Sequence, residues 1–302
     1  MNRRDVFSGV LAGGAALALA GTPARATPRA AANPAWVNAA DGTRLYVRSW
    51  GVGAPILFLS GWALSSEMWA YQMAALSEGG FRCIAYDRRG HGRSDDPGAG
   101  YDYATLAGDL DAILTALDVN GAIVVAHSIS GGEILSYLAQ QPATTRVARI
   151  LFLATTLPCL TAKPDNPAGV PAAAFDQMRR QFYTDLPHWI DANSDAFVVP
   201  ETSALMRSWI KNIMLRTSLR AIIDLNQAMT AADFRDSLGA VTLPTIFIHG
   251  DRDASAPLAL TAQPASQLPK RSSLIVYEGG PHGLFATHIE RLNADIEAFA
   301  RG

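Results

Sequence analysis

Only two of the 302 residues are cysteine, Cys83 and Cys159, too few for the disulfide framework that holds small secreted domains together. Charge is scarce as well: 17% of residues are Asp, Glu, Lys or Arg, and 25 cationic against 27 anionic side chains leave a net charge of −2. No basic run or face of the kind that neutralises phosphates stands out, so nucleic acid is not an expected partner. Past residue 26 no apolar run approaches the ~20 residues that a membrane-crossing helix needs. His, Cys and carboxylates do not recur at zinc-like spacing, so no metal or other cofactor is expected. Internal repeats are absent too, as is any low-complexity tract beyond an Ala-rich leader and linker. What is abundant is apolar surface. At 49% apolar residues a chain of this length can bury enough of it to offset its ordering entropy, which excludes disordered and collagen-like readings.

Residues 1–26, MNRRDVFSGVLAGGAALALAGTPARA, carry paired Arg3 and Arg4, a modest apolar stretch from Val6 to Ala20, and Ala24 and Ala26 in an A-x-A arrangement. That pattern is a secretory signal, and the twin arginines point to the bacterial route that exports folded proteins. The stretch is interrupted by Ser8, Gly9, Gly13 and Gly14 and is too short to span a bilayer. A soluble periplasmic or secreted protein, with no membrane attachment in its mature form, is expected. Residues 27–34 read as a linker.

From there, short β-branched and aliphatic runs alternate with segments of helical period, the pattern of a mostly parallel sheet with helices on both faces. AWVNA and TRLYVRSW flank Asp41-Gly42, a dipeptide suited to the tight turn of an antiparallel hairpin. PILFLSG (55–61), FRCIAYD (81–87), AIVVAHS (122–128), RILFLAT (149–155), TIFIHGD (245–251) and SLIVYEG (273–279) read as buried strands. Helical spacing links Leu106, Leu110, Ile113, Leu114 and Leu117, then Ile134, Leu135 and Leu138, then Ile289, Leu292, Ile296 and Phe299. The alternation breaks over 158–238, where helical segments near 171–184, 202–214 and 218–230 suggest a cap. The expected division is a core of 35–157 with 239–302, interrupted by that cap.

Strand AIVVA runs into His127-Ser128-Ile129-Ser130-Gly131-Gly132 and then a helical pattern, which puts Ser128 on a sharp strand-to-helix turn, the nucleophile elbow. Such a turn demands small residues two positions to either side, here Ala126 and Ser130. Ser130, between Ser128 and Gly132, fits the same rule. Ser128 is preferred because the strand reaches it directly and Ser130 is then placed to begin the helix. A serine hydroxyl is a weak nucleophile without a general base and a group that orients the base. Two strand ends offer them: Gly250-Asp251-Arg252-Asp253, and Gly279-Gly280-Pro281-His282-Gly283. Asp251 and Asp253 compete for the acid role, and the first can instead tie a turn. His127 and His249 read as packed supports. Backbone N–H groups of Ile129 and Trp62 are the candidate donors to a developing oxyanion.

FRCIAYDRRGHGRSDDPGAGYDYATLAGDLDAIL, AHSISGGEILSYLA, HGDRD-x-x-x-Pro and GGPHGLFATH, in that order, resemble the arylesterase and cofactor-free haloperoxidase (perhydrolase) branch of the α/β-hydrolase superfamily, over about Val37 to Phe299. The resemblance implies an α/β-hydrolase fold with an eight-stranded sheet and a helical cap inserted after the sixth strand. It implies Asp253 as the acid, since the family uses the second Asp of HGDxD. It also sets the Cys83 strand and the strand preceding Cys159 three positions apart, roughly 14 Å, beyond disulfide reach. Three departures stand out. Ser60 replaces the usual His of His-Gly-Trp, Ala126 and Ser130 replace elbow glycines, and Ala63 stands where many haloperoxidases have Pro, a tilt toward esterase chemistry. The charged residues of DRRGHGRSD are given no catalytic role.

The expected function is therefore a secreted serine hydrolase of carboxylic esters, with catalytic Ser128, Asp253 and His282 and oxyanion donors Trp62 and Ile129. Its partner is a small-molecule ester, and the sequence leaves homo-oligomerisation open. The rivals are a perhydrolase or lactonase with the same triad, and a binding protein that kept the fold and lost the chemistry. Haloalkane dehalogenase and epoxide hydrolase need a carboxylate at the elbow. Phe175, Phe182, Trp189 and Phe197 are expected to give the cap an apolar lining.

Overall fold

The run Ala122-Ile-Val-Val-Ala-His127 is buried at every position, which is what a parallel strand covered by helices on both sides requires. It is the fifth strand of a computed structural model whose described residues are 34–302. The leader, and the linker except Pro34, lie outside them. In chain order the elements are β1 (Trp36–Asn38), β2 (Arg44–Trp50), β3 (Ala54–Leu59), α1 (Ala70–Glu78), β4 (Phe81–Tyr86), α2 (Tyr103–Ala116), β5 (Ala122–His127), α3 (Ser130–Gln140) and β6 (Val147–Leu153). There follow α4 (Ala172–Asn193), α5 (Ala204–Met214), α6 (Leu219–Ala231), α7 (Arg235–Gly239), β7 (Thr245–Gly250), α8 (Ala262–Ala265), β8 (Ser272–Tyr277), α9 (Leu284–Thr287) and α10 (Ile289–Arg301).

The strands form one sheet in the order β1-β2-β4-β3-β5-β6-β7-β8. Pairings of β2 with β1 and β4 are antiparallel and the rest are parallel. From β3 the chain moves to β4 on one side, then crosses to β5 on the other. The carboxyl ends of β3 and β5 are therefore neighbours, with Leu59 opposite Ala126, and the loops that leave them diverge. A crevice at that reversal is where open α/β sheets place their ligands.

Side chains alternate across the sheet as the strand period dictates. Leu57, Leu59, Val124, Ala126 and Phe152 join one apolar layer with α2 and α3. Ile56, Phe58, Val125, Leu151 and Leu153 join the other, with α1 and α10. Asp102 caps α2 by accepting from the Thr105 N–H, satisfying one of the donors that a helix start leaves orphaned. Cys83 and Cys159 are free and buried, and burial pushes the Cys83 thiol up to about 12.

Several expectations shift in detail. The parallel strands end one or two residues before the expected Gly, Ser, Thr or Asp, because those residues leave the ladder to build loops at the carboxyl edge. The hairpin connection runs from Ala39 to Thr43, and of Asp41-Gly42 only Gly42 takes a positive φ, +86°. Helix α1 has no counterpart in the apolar spacing, since one of its buried positions is polar: Gln72 donates to the Phe285 carbonyl at 2.9 Å. Helix α4 breaks where the segment near 171–184 was expected to end, and a second helical stretch follows directly. Pro187 breaks it at Asp185 (φ −160°), whose carboxylate accepts the His188 N–H and restarts the helix. Between β6 and β7 the chain adds no strand to the sheet, and α4, α5 and α6 form the cap over its carboxyl edge. Among the described residues no helix is long and apolar enough to cross a membrane.

Phe152 is fully buried and stacks on Phe247 with ring centroids 4.8 Å apart. Removing that ring from a site walled by the sheet and two helices is expected to cost about 3–5 kcal/mol. Denaturant unfolding of Phe152→Ala measures this, and a loss below about 1 kcal/mol would show that this layer is loosely packed.

Candidate active site

Ser128 sits between β5 and α3 with φ +58°, a left-handed conformation that costs a non-glycine residue roughly 1–2 kcal/mol. The turn is held by the Ser128 N–H on the Leu153 carbonyl (2.9 Å) and by Gly131 N–H on the Ser128 carbonyl (3.3 Å). Its hydroxyl lies 3.0 Å from His282 Nε2, and His282 Nδ1 lies 2.7 Å from Asp253 Oδ2. All three residues are buried. An ionised carboxylate only accepts, so Nδ1 carries the ring proton and the lone pair of Nε2 faces the serine hydroxyl.

Asp253 is held from several sides. Its Oδ1 accepts the N–H groups of Ser255 (2.9 Å) and Ala256 (2.7 Å), and His249 Nε2 lies 3.2 Å from Oδ2. Burial pushes this carboxyl up, but its electrostatic interaction with the His282 ring and the hydrogen bonds from His249 and His282 outweigh it and hold the group well below the usual carboxylate range. Asp251, the competing acid, instead ties the two loops together by accepting the Gly279 N–H at 2.8 Å.

The other candidate serine faces away from the imidazole. Ser130 Oγ donates to the Ser60 carbonyl (2.5 Å) and accepts from Arg88 Nη2 (2.6 Å). Arg88 is itself buried, paired with the buried Glu133 of α3 at 2.5 Å, while Tyr86 also donates to Glu133. The Arg88 guanidinium reaches the Ser60 carbonyl (2.5 Å) and the Gly61 carbonyl (3.3 Å). The Gly61 carbonyl and the Trp62 N–H belong to one rigid peptide plane, so gripping the first aims the second. Arg88 and Glu133 were missed at the sequence level. Glu133, a lone charge in the otherwise uncharged elbow segment, was the signal that could have exposed the pair, whereas Arg88 lies in the charged run Asp87-Arg88-Arg89 just after β4 and does not stand out.

The N–H groups of Trp62 and Ile129 donate to no protein acceptor among the described residues. Trp62 is further fixed by its ring: Nε1 donates to the Ile222 carbonyl of α6 at 2.8 Å, and Phe182 and Trp189 pack against it. Thr217 holds the Ala63 carbonyl at 3.0 Å. Ser60, at the family's histidine position, contributes its carbonyl to this loop, and its hydroxyl has no partner among the described residues. Next to it Gly61 is obligatory, since a Cβ there would lie 2.4 Å from His127 Nδ1. His127 in turn directs Nε2 at the His282 carbonyl, 3.1 Å away, so both supporting histidines press on members of the constellation.

Above these groups lies a cavity of about 320 Å³, bounded by Ser128, His282 and Trp62 below and by α4, α5 and α6 above. Phe175, Trp189 and Phe197 line it, as do Met178 and Met229. Phe182 does not: it is buried behind Trp62 and Trp189. No group of three or more His, Cys, Asp or Glu side chains among the described residues is arranged to hold a metal.

Two buried histidines near the site set an acid limit. Burial, then the electrostatic interaction with the neighbouring His282 ring, lowers His127 to about 3, and burial followed by the charge of Arg88 lowers His91 to about 3. Unfolded, both rings bind a proton near their ordinary value of 6.5. Between those values the unfolded chain holds more protons, so stability rises with pH there and is lost on acidification, by roughly 1 kcal/mol per pH unit for each ring. Denaturant midpoints measured across this window are expected to fall steadily toward acid. A flat or rising profile would contradict the buried, neutral rings.

The alpha/beta hydrolase fold family matches residues 54–289. A non-heme chloroperoxidase of Streptomyces lividans is 35% identical over 277 residues, covering 88% of this chain and 99% of that protein. A bifunctional esterase/perhydrolase of Acinetobacter calcoaceticus is 34% identical with the same coverage. Among solved structures, an esterase of Exiguobacterium antarcticum superposes with a TM-score of 0.85 at 28% identity, covering 88% of this chain and 99% of that one. With the sheet order, the capped carboxyl edge and these relatives in agreement, the chain belongs to the α/β-hydrolase fold family and resembles its esterase and haloperoxidase members.

Proposed function

We propose that the protein is a serine hydrolase of carboxylic esters and that Ser128, His282 and Asp253 are its catalytic residues. The observation that carries this reading is the unbroken hydrogen-bonded line from Asp253 through His282 to the Ser128 hydroxyl, ending beneath an apolar cavity. His282 Nε2 takes the hydroxyl proton as Ser128 Oγ attacks the ester carbon, and the carbonyl electron pair moves onto oxygen. The Trp62 and Ile129 N–H groups receive that oxyanion, each worth about 3 kcal/mol in comparable sites. Asp253 stabilises the imidazolium without taking its proton. The imidazolium passes the proton to the departing alcohol oxygen, leaving an acyl-serine. Water, deprotonated by the same ring, attacks this ester, and as the acyl–oxygen bond breaks the imidazolium returns the proton to Ser128 Oγ and the acid leaves.

Hydrogen peroxide in place of that water would yield a peracid from the same acyl-serine. The named relatives, a bifunctional esterase/perhydrolase and non-heme chloroperoxidases, support this second reading. Ala63 favours hydrolysis as the main activity: its φ of +58° is inaccessible to the proline that many haloperoxidases carry, whose ring fixes φ near −65°. The reading includes export of the folded chain, supported by the Arg3-Arg4 leader, and an apolar aryl or alkyl ester as substrate.

Turnover of a short aryl ester, followed with and without peroxide, tests the proposal. Ser128→Ala is expected to lower hydrolysis by roughly four orders of magnitude or more with the unfolding midpoint retained, and wild-type hydrolysis is expected to exceed peracid formation. Undiminished turnover in the variant would overturn the assignment of Ser128. Peracid formation outpacing hydrolysis would make the perhydrolase reading the primary one.

A further inference from the structure

One polar side chain in the cavity wall has an amide donor whose partner among the described residues is a thioether rather than an oxygen. Asn226 of α6 lines the cavity and is 2% exposed. Its Oδ1 accepts from Arg179 Nη1 at 2.9 Å. A guanidinium has donors only, so the amide cannot be turned the other way round, and the NH2 group must point away from Arg179. What that NH2 meets is the thioether of Met178, 3.8 Å away, a weak acceptor on a flexible side chain that also lines the cavity. A buried amide donor without an oxygen acceptor is unfavourable and sharply selective, because a ligand oxygen that reaches it recovers the full bond.

The amide is rigidly mounted. The same Arg179 Nη1 also donates to Thr230 Oγ1 (3.1 Å), Nη2 is held by Asp176, and Thr230 Oγ1 donates to the main-chain carbonyl of Asn226 at 2.9 Å. Asn226 also lies one helical turn, about 6 Å, beyond Ile222, whose carbonyl holds the Trp62 indole. The donor is thus set at a distance from the groups that would handle the ester itself. The two cations in the wall do not select for a charged ligand: Arg207 is paired with Asp195 and Lys211 with Asp191, each at 2.7 Å. The acceptor that suits the site is a neutral oxygen on an otherwise apolar molecule.

We infer that Asn226 is a specificity-determining residue whose Nδ2 binds a neutral carbonyl oxygen of the substrate remote from the scissile bond, so that the preferred substrates are apolar esters bearing a second, ketone-like carbonyl. This rests on the ester-hydrolase reading of the same cavity. Met178 covers the donor when the cavity is free and swings aside when the oxygen arrives.

The test is a p-nitrophenyl ester series in which one ketone is moved along the acyl chain, each member paired with the plain ester of the same length. A matched series carries the ketone on the alcohol side. At one ketone position the wild type is expected to favour the oxo-ester by about tenfold in kcat/KM. Asn226→Leu is expected to bring that ratio to near unity. Asn226→Asp, which keeps the size and the Arg179 contact but replaces donor with acceptor, is expected to do the same, chiefly through KM. Using the ratio within one protein separates specificity from any general loss of folded enzyme, and Asn226→Asp guards against a leucine variant that fails to fold. A preference that survives in Asn226→Asp, or no preferred ketone position in either series while plain esters are hydrolysed, would overturn the role of Asn226 and leave the ester-hydrolase reading intact. Failure to hydrolyse any ester in either series would overturn that reading itself.

Discussion

The buried pair of Arg88 and Glu133 is the contact on which the geometry of this site hangs. The guanidinium joins three segments far apart in the chain: the end of β4 that carries it, the elbow helix through Glu133 and Ser130, and the loop after β3 through the carbonyls of Ser60 and Gly61. Such a pair contributes little net stability, since removing two charges from water offsets most of their attraction. Its value lies in direction. Five donors in a fixed plane set the orientation of the Gly61-Trp62 peptide relative to the start of α3. Either partner alone would leave an uncompensated charge in the core, so the two segments cannot drift apart without a penalty of several kcal/mol.

Sheet topology supplies the rest of the placement. Because the chain reverses direction between β3 and β5, the turn that bears Ser128 and the loop that bears Trp62 leave adjacent strand ends. Beyond β6, the loops after β7 and β8 bring Asp253 and His282 to the same edge. The strained φ of Ser128 fits this setting. A tight turn lifts the side chain above the sheet, and the packed layers on both faces over-determine the backbone enough to hold it there. The cap then closes the space above, with Trp62 hung from α6 and Gly283 donating to the Phe197 carbonyl at 2.8 Å.

Much of this was legible in the chain. Strand runs such as AIVVAH announce themselves because both faces of a parallel sheet are buried, and the order Ser128, Asp253, His282 falls at three strand ends where open sheets build sites. The resemblance to arylesterases separated Asp253 from Asp251, a choice local composition left open. Other features depend on contacts that no local pattern encodes. Helix α1 hides because its buried Gln72 bonds to a residue near the other end of the chain. Phe182 looked like cavity lining, but a helical stripe does not say which of its residues face a void and which face Trp62. Arg88 was given no catalytic role with the other charges of its loop, and only the fold reveals that its partners lie in α3 and after β3. The donor of Asn226 is likewise visible only once Arg179 fixes which way the amide faces.

The claim that everything else serves is that one hydroxyl, at Ser128, is made nucleophilic by the ring behind it. The most direct measurement is reaction with a fluorophosphonate followed by intact mass and peptide mapping. A single adduct per chain on the peptide containing Ser128, forming far more slowly when Asp253 is changed to Asn, is the predicted result. No adduct, or one mapped to Ser130 or to a serine elsewhere, would contradict the account.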